Sequence, residues 1–144
     1  MAASFQQETQ EHHLASTLDS VDVAEAATIG LAQKMGFSED DQNSISMAIR
    51  ECMVNAVAHG NKYNSRKEVL LKLEALPDEL VVTVGDEGDG FNEQAVPDPL
   101  AQENLLKQSG RGLLLMRAFM DECDHSSRIP NGTLVRMVKR LQPS

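Results

Sequence analysis

Glu51 and Asn55 bracket the run Glu51-Cys52-Met53-Val54-Asn55. At that spacing a helix sets a carboxylate and an amide on nearly one face, roughly 6 Å apart along the axis. An amide oxygen such as that of Asn55 is a hard ligand suited to Mg²⁺, which completes its shell with phosphates and water. A carboxylate one turn earlier can accept a proton from an attacking hydroxyl or water. His59 continues the same row. Further along, Asp86-Glu87-Gly88-Asp89-Gly90 follows an apolar run, and its glycines let backbone approach a ligand closely. A carboxylate there can accept the exocyclic amine of adenine, which guanine does not offer in the same way. Gly110-Arg111-Gly112-Leu113 then opens a helix, whose free N–H groups and dipole make an anion site, with Arg111 as a fork for phosphate or carboxylate. In that order the three stretches outline a nucleotide pocket.

Each stretch alone also fits a plainer role: a polar helix edge with a cap, a tight turn, a hinge into a core helix. Other chemistries fit worse. Gly85 and Gly90 have the glycine spacing of a P-loop, but Phe91-Asn92 stands where Lys-Ser/Thr is required. Gly110-Arg111-Gly112 lacks the third glycine of a dinucleotide fingerprint. His12, His13, His59 and His125 have no zinc spacing, and Asp121-Glu122-Cys123-Asp124-His125 reads as a solvated helix end. Cys52 falls on an apolar stripe and reads as packing.

The elements that must position these residues are legible in outline. Residues 1–12 read as a flexible polar terminus and 13–144 as one domain. His13 to Val21 alternates loosely, as an edge strand would. Asp22 to Met35 has helical apolar spacing through Val23, Ala26, Ala27, Leu31 and Met35, and Gly36 stops it. Ser38, with acids in the following turn, opens a second helix whose buried stripe is Ile45, Ile49, Cys52 and Ala56. It should run to His59, with Gly60 and Asn61 as a left-handed cap. Glu68 to Glu74 and Leu80 to Val84 read as a hairpin about Pro77-Asp78-Glu79. Residues 92–109, polar and broken by Pro97 and Pro99, read as a long functional loop. Gly110 to Met120 is a helix with Leu113, Met116 and Met120 inward. Asp124 to Arg128 and Thr133 to Leu141 make a last hairpin around Pro130-Asn131-Gly132.

Composition narrows the function classes. The 144 residues suffice for one domain with a core. Aromatic residues are only 3%, so aliphatic side chains and methionine must fill it, and few rings are left to stack on bases. Thirteen Lys and Arg against 22 Asp and Glu give a net charge of -9, which argues against nucleic acid and suits a basic protein partner. Cys52 and Cys123 have no paired spacing and read as reduced structural thiols. With no apolar run long enough for a membrane span, and no basic or apolar leader, the expected location is cytoplasmic.

Taken in order, Glu51-x-x-x-Asn55-Ala56-Val57-Ala58-His59-Gly60-Asn61, Asp86-x-Gly88-x-Gly90-Phe91 and Gly110-Arg111-Gly112-Leu113 through Met120-Asp121-Glu122 resemble the three boxes of the histidine-kinase-like (GHKL, Bergerat-fold) ATPases. The short length, the His-Gly-Asn and the closing Met-Asp-Glu are similar to the small anti-sigma-factor serine kinases. The resemblance spans about residues 15 to 141. It implies an α+β fold, a two-layer sandwich of helices on a mixed, mostly antiparallel sheet, with ATP held between helices under a lid at 92–109. By the same resemblance, Asn55 would ligate Mg²⁺ and Glu51 would be the general base. Asp86 would read adenine, aided through water by Thr133, with Gly88 and Gly90 lining the base. Gly110, Arg111 and Gly112 would meet the phosphates. Such kinases bind a sigma factor, phosphorylate a serine of an antagonist protein and commonly dimerise. The alternatives are an ATP-binding switch that acts by partner binding without phosphoryl transfer, or an activator subunit of a larger complex.

Overall fold

A computed structural model of the chain describes residues 7–88 and 115–142. Strand β1 (Glu8–Ala15) leads into helix α1 (Asp19–Met35) and helix α2 (Glu39–Val54), which continues as one π-helical turn, Asn55–Gly60. Strands β2 (Glu68–Ala75) and β3 (Glu79–Gly85) follow, and after residues 89–114 come β4 (Glu122–Ser127) and β5 (Thr133–Arg140). The strands form one sheet in the order β1-β2-β3-β5-β4, and all four pairings are antiparallel. The expected α+β fold, helices on a mostly antiparallel sheet, is the one found.

Local signals place the helix ends. Gly36 adopts φ 92° and closes α1, with its N–H 3.1 Å from the Gln33 carbonyl and the Phe37 N–H 3.2 Å from that of Ala32. This is the Schellman arrangement, completed by burial of Phe37. Ser38 caps α2, its hydroxyl accepting from the Asp41 N–H at 3.1 Å, ahead of Glu39, Asp40 and Asp41 in the first turn. Ile45, Ile49 and Met53 of α2 are fully buried over the inner face of the sheet, where Leu71, Leu73, Val82 and Met137 meet them. Met35, Met116 and Met120 are buried as well, so aliphatic side chains and methionine do fill a core almost free of rings.

Three expectations are corrected. β1 runs from Glu8 to Ala15, not from His13 to Val21, so residues 8–12 belong to the sheet and not to a frayed terminus, and α1 already begins at Asp19. The strand does lie at the sheet edge. There its ladder to β2 supplies the backbone bonds, and Glu8, Gln10 and His12 need only half-burial, which is why a polar run can be a strand. The segment Asp121-Glu122-Cys123-Asp124-His125 is not a helix end, because β4 starts at Glu122 and buries Cys123 opposite Met137. Finally, neither Gly60 nor Asn61 is left-handed. The chain reverses later, at Lys62 (φ 50°) and Tyr63 (φ 57°), since Asn61 keeps helical angles.

Candidate functional site

The first part of the site is the junction between α2 and the π-turn. Cys52, Met53, Ala56 and Val57 bury one side of this segment, leaving Glu51 and Asn55 half-buried beside them. Neither side chain hydrogen-bonds any other described residue. A wider turn begins at Asn55, and single π-turns of this kind recur at functional sites. The widening carries His59 off the row shared by Glu51 and Asn55, and its side chain is exposed. Glu51 and Asn55 are both half-buried along this segment, and His59 does not continue their row.

The second part is the residue that ends β3, the middle strand. Asp86 is 9% exposed, and its Oδ1 accepts from the Gly88 N–H at 2.9 Å and from the Thr133 N–H at 3.2 Å. The Asp86 N–H donates to the Thr133 carbonyl at 3.0 Å. Thr133 therefore meets Asp86 through backbone. Oδ2 has no hydrogen-bond partner among the described residues. Glycines make this packing possible. A Cβ on Gly60 would fall 2.4 Å from Asp86 Cγ and Oδ2, and one on Gly88 would fall 2.2 Å from the Gly60 carbonyl oxygen. Gly132, at φ 109°, comes so near that a Cβ would be 1.9 Å from the Asp86 carbonyl oxygen.

Asn61 ties these parts together. It is 1% exposed, and its side-chain amide donates to Ser16 Oγ at 2.9 Å and to the Glu68 carbonyl at 3.1 Å. Its Oδ1 accepts from the Glu87 N–H at 2.7 Å, so one buried amide joins the β1–α1 turn, the start of β2 and the Asp86 loop. Its full set of bonds explains why Asn61 is not the left-handed cap. From the far side, Arg128 Nη1 donates to the Asp86 carbonyl at 3.0 Å.

Burial dominates the electrostatics. It holds the Asp86 carboxyl above the usual aspartate range, against the Gly88 and Thr133 N–H groups and the charges of Arg128 and Lys67, which all favour ionisation. The Cys52 thiol is pushed far up by burial, then by Cys123, Asp86 and Glu51. It is an inert packing group, as expected.

Of the predicted site residues, Glu51, Asn55, Asp86, Gly88 and Thr133 are described, and Asp86, Gly88 and Thr133 are in direct contact. Gly90, Gly110, Arg111, Gly112 and the expected lid at 92–109 lie outside the described residues. Asn61, Arg128, Gly60 and Gly132 were not among the predicted site residues. Gly60 and Asn61 had a signal in the His-Gly-Asn run, and Gly132 in its place before Thr133. Arg128 had none, because its partner is 42 residues away. Among the described residues no group of three His, Cys, Asp or Glu could cage a metal. A half-buried amide without a described partner suits Mg²⁺ that takes most of its ligands from phosphate and water, so the residues present fit that ion.

An antiparallel sheet under two helices, with an acid–amide pair ending one helix and a glycine-packed carboxylate ending the middle strand, is a nucleotide-binding domain of the α+β class. The model of the histidine kinase-like ATPase domain matches residues 14–139. Curated relatives include the serine-protein kinase RsbW of Bacillus licheniformis, 36% identical over 118 residues, covering 78% of this chain and 72% of the relative. RsbW of Bacillus subtilis (strain 168) is 35% identical over 120 residues, with the same coverage of 78% and 72%. An anti-sigma F factor of Clostridium perfringens is 31% identical over 104 residues, covering 71% and 74%. The fold also matches a crystal structure of the RsbU and RsbW domains of a Mycobacterium tuberculosis protein, with a TM-score of 0.68 at 20% identity over 95% of this chain. This chain spans about a third (34%) of that one. The chain belongs to the histidine kinase-like ATPase family, on its branch of anti-sigma serine kinases. No helix among the described residues is long and apolar enough to cross a membrane.

Proposed function

We propose that this kinase binds a sigma factor and, with ATP and Mg²⁺, phosphorylates a serine of the sigma factor's antagonist protein in the cytoplasm. One observation carries the nucleotide assignment. Oδ1 of Asp86 is taken by two backbone N–H groups, while Oδ2 is left for a donor, on a carboxylate walled by glycines. Such an acceptor selects the exocyclic amine of adenine, with Gly88 against the base and Thr133 holding Asp86 in place. Names of relatives, serine-protein kinase and anti-sigma F factor, support the protein-directed half of the reading.

In the transfer, the serine oxygen bonds to the γ-phosphorus as the bond to the β–γ bridging oxygen breaks, and ADP leaves with the electron pair. Glu51 takes the serine proton. Its half-buried position, without a described partner, leaves it free to do so. Asn55 would hold Mg²⁺, which neutralises charge on the phosphates. Gly110, Arg111 and Gly112 would meet the phosphates and Gly90 the base, a role read from their sequence alone.

The test has two arms. Calorimetric titration should show ATP bound in preference to GTP by the wild type, and ATP binding lost in Asp86→Asn. Mass spectrometry of the copurified partner should find phosphoserine after incubation with Mg-ATP. ATP binding with an unmodified partner would leave a switch that acts by occupancy alone.

A further inference from the structure

Arg128 is the one cationic side chain joined by a hydrogen bond to the backbone of the Asp86 loop among the described residues, and neither the predicted site nor the proposed chemistry uses it. It leaves the end of β4, where its N–H donates to the Gly132 carbonyl at 2.9 Å. From there its side chain crosses Gly85. A Cβ at Gly85 would stand 3.4 Å from Arg128 Nη1, 3.5 Å from its Cδ and 2.8 Å from Leu134 Cδ2. Such a Cβ would crowd Leu134 and meet Arg128 at ordinary contact distance, so the Arg128 side chain lies packed along this strand end. The guanidinium ends on the Asp86 carbonyl at 3.0 Å, beside the contact made by Gly132.

The β4–β5 turn therefore grips Asp86 at its N–H, its carboxylate Oδ1 and its carbonyl, through Thr133, Thr133 and Arg128 in turn. The first two grips fix where Asp86 is. The third fixes the plane of the peptide that follows it, and with it the approach of the Gly88 N–H to Oδ1. We propose that Arg128 is a positioning residue for base recognition, aiming the free Asp86 carboxylate oxygen by clamping the Asp86 carbonyl from the opposite face of the sheet. A charged donor is suited to the task, because its bond to a carbonyl is stronger than a neutral one.

This inference rests on the ATP-binding reading, and the experiment separates the two. ATP and GTP are titrated into wild type, Arg128→Ala, Arg128→Lys and Arg128→Gln, each checked by thermal melting. Failure of the wild type to bind ATP would remove the ATP-binding reading itself, whatever the variants do. Given wild-type binding, Arg128→Ala should weaken ATP by about tenfold or more and shrink the ATP-to-GTP preference. Arg128→Lys, which keeps a charged donor, should recover most of both, and Arg128→Gln less. A merely structural role would lower the melting point, or weaken both nucleotides alike, and leave the preference unchanged. That result would overturn the proposal. If Arg128→Ala does not fold, the order Lys above Gln in nucleotide preference decides it, and equal preference in those two sinks it.

Discussion

The two ends of the site are built by opposite means. At the Asp86 end every neighbour is a fixture: two backbone N–H groups on Oδ1, a guanidinium on the carbonyl, and three glycines whose missing Cβ atoms let backbone touch the carboxylate loop. At the α2 end, Glu51 and Asn55 stand half-buried on a helix that changes pitch, with no side-chain bond to another described residue. A group that reads a base must keep one orientation, so rigid backbone surrounds it. A group that accepts a proton or joins a metal shell must be free to bond when the ligand arrives, so the fold leaves it unsatisfied. Rigidity and vacancy mark reader and reactor respectively.

The largest expected effect breaks the reactive end alone. Glu51→Ala should cut serine phosphorylation by at least about a hundredfold, the usual scale for losing a general base, while ATP affinity stays within about twofold. Because Glu51 has no described bond to lose, the melting point should move little. Rates from single-turnover phosphorylation of the copurified partner, set beside calorimetric affinities, decide it. Unchanged transfer would remove Glu51 as the base and leave the α2 end without an assigned acid.

The complementary break is at the rigid end. Gly132→Ala puts a side chain at φ 109° and 1.9 Å from the Asp86 carbonyl oxygen, where only backbone is available to move. Strain of both kinds should lower stability by about 2–4 kcal/mol in a denaturant titration, and ATP binding should fail with the displaced loop. A Gly132→Ala protein that binds ATP normally would show that the loop is soft, and the contrast between the two ends would not hold.

How much of this could be read beforehand follows the same divide. Gly36, Ser38 and the two hairpins were legible because their causes are local: a left-handed stop, a hydroxyl three residues ahead of an N–H, alternating apolar residues around a turn. Glu51, Asn55 and Asp86 were legible because chemistry needs those residue types at those spacings. The polar strand at Glu8 was not, since what holds it is the ladder to β2. Nor was the π-turn, which is followed by an Asn61 amide bonded to Ser16, Glu68 and Glu87. Arg128 acts on Asp86 from the β4–β5 turn, and spacing along the chain carries no trace of that.

The smallest effect is the sharpest, because its sign is unusual. Burial raises the Asp86 carboxyl above its ordinary value of 3.8, so the folded protein holds that proton more tightly than the unfolded chain does. The stabilising contribution is then fully present below the unfolded value and is lost as pH rises through the folded one. At neutral pH the ionised carboxylate is a small burden on the empty domain. Asp86→Asn removes the burden and keeps an Oδ1 that can accept from Gly88 and Thr133. Without nucleotide the variant should therefore melt no lower than wild type at pH 7, and the difference should shrink or reverse as pH falls toward the ordinary aspartate range. ATP should behave oppositely in the wild type, binding more tightly as pH rises through the raised value and Oδ2 becomes a full acceptor. Melting curves with and without ATP from about pH 4 to about pH 8, the window around a raised aspartate, test both signs at once. A variant that is clearly less stable than wild type at neutral pH would mean the carboxylate charge supports the fold. Asp86 would then be a structural acid, not a reader held in readiness at the expense of stability.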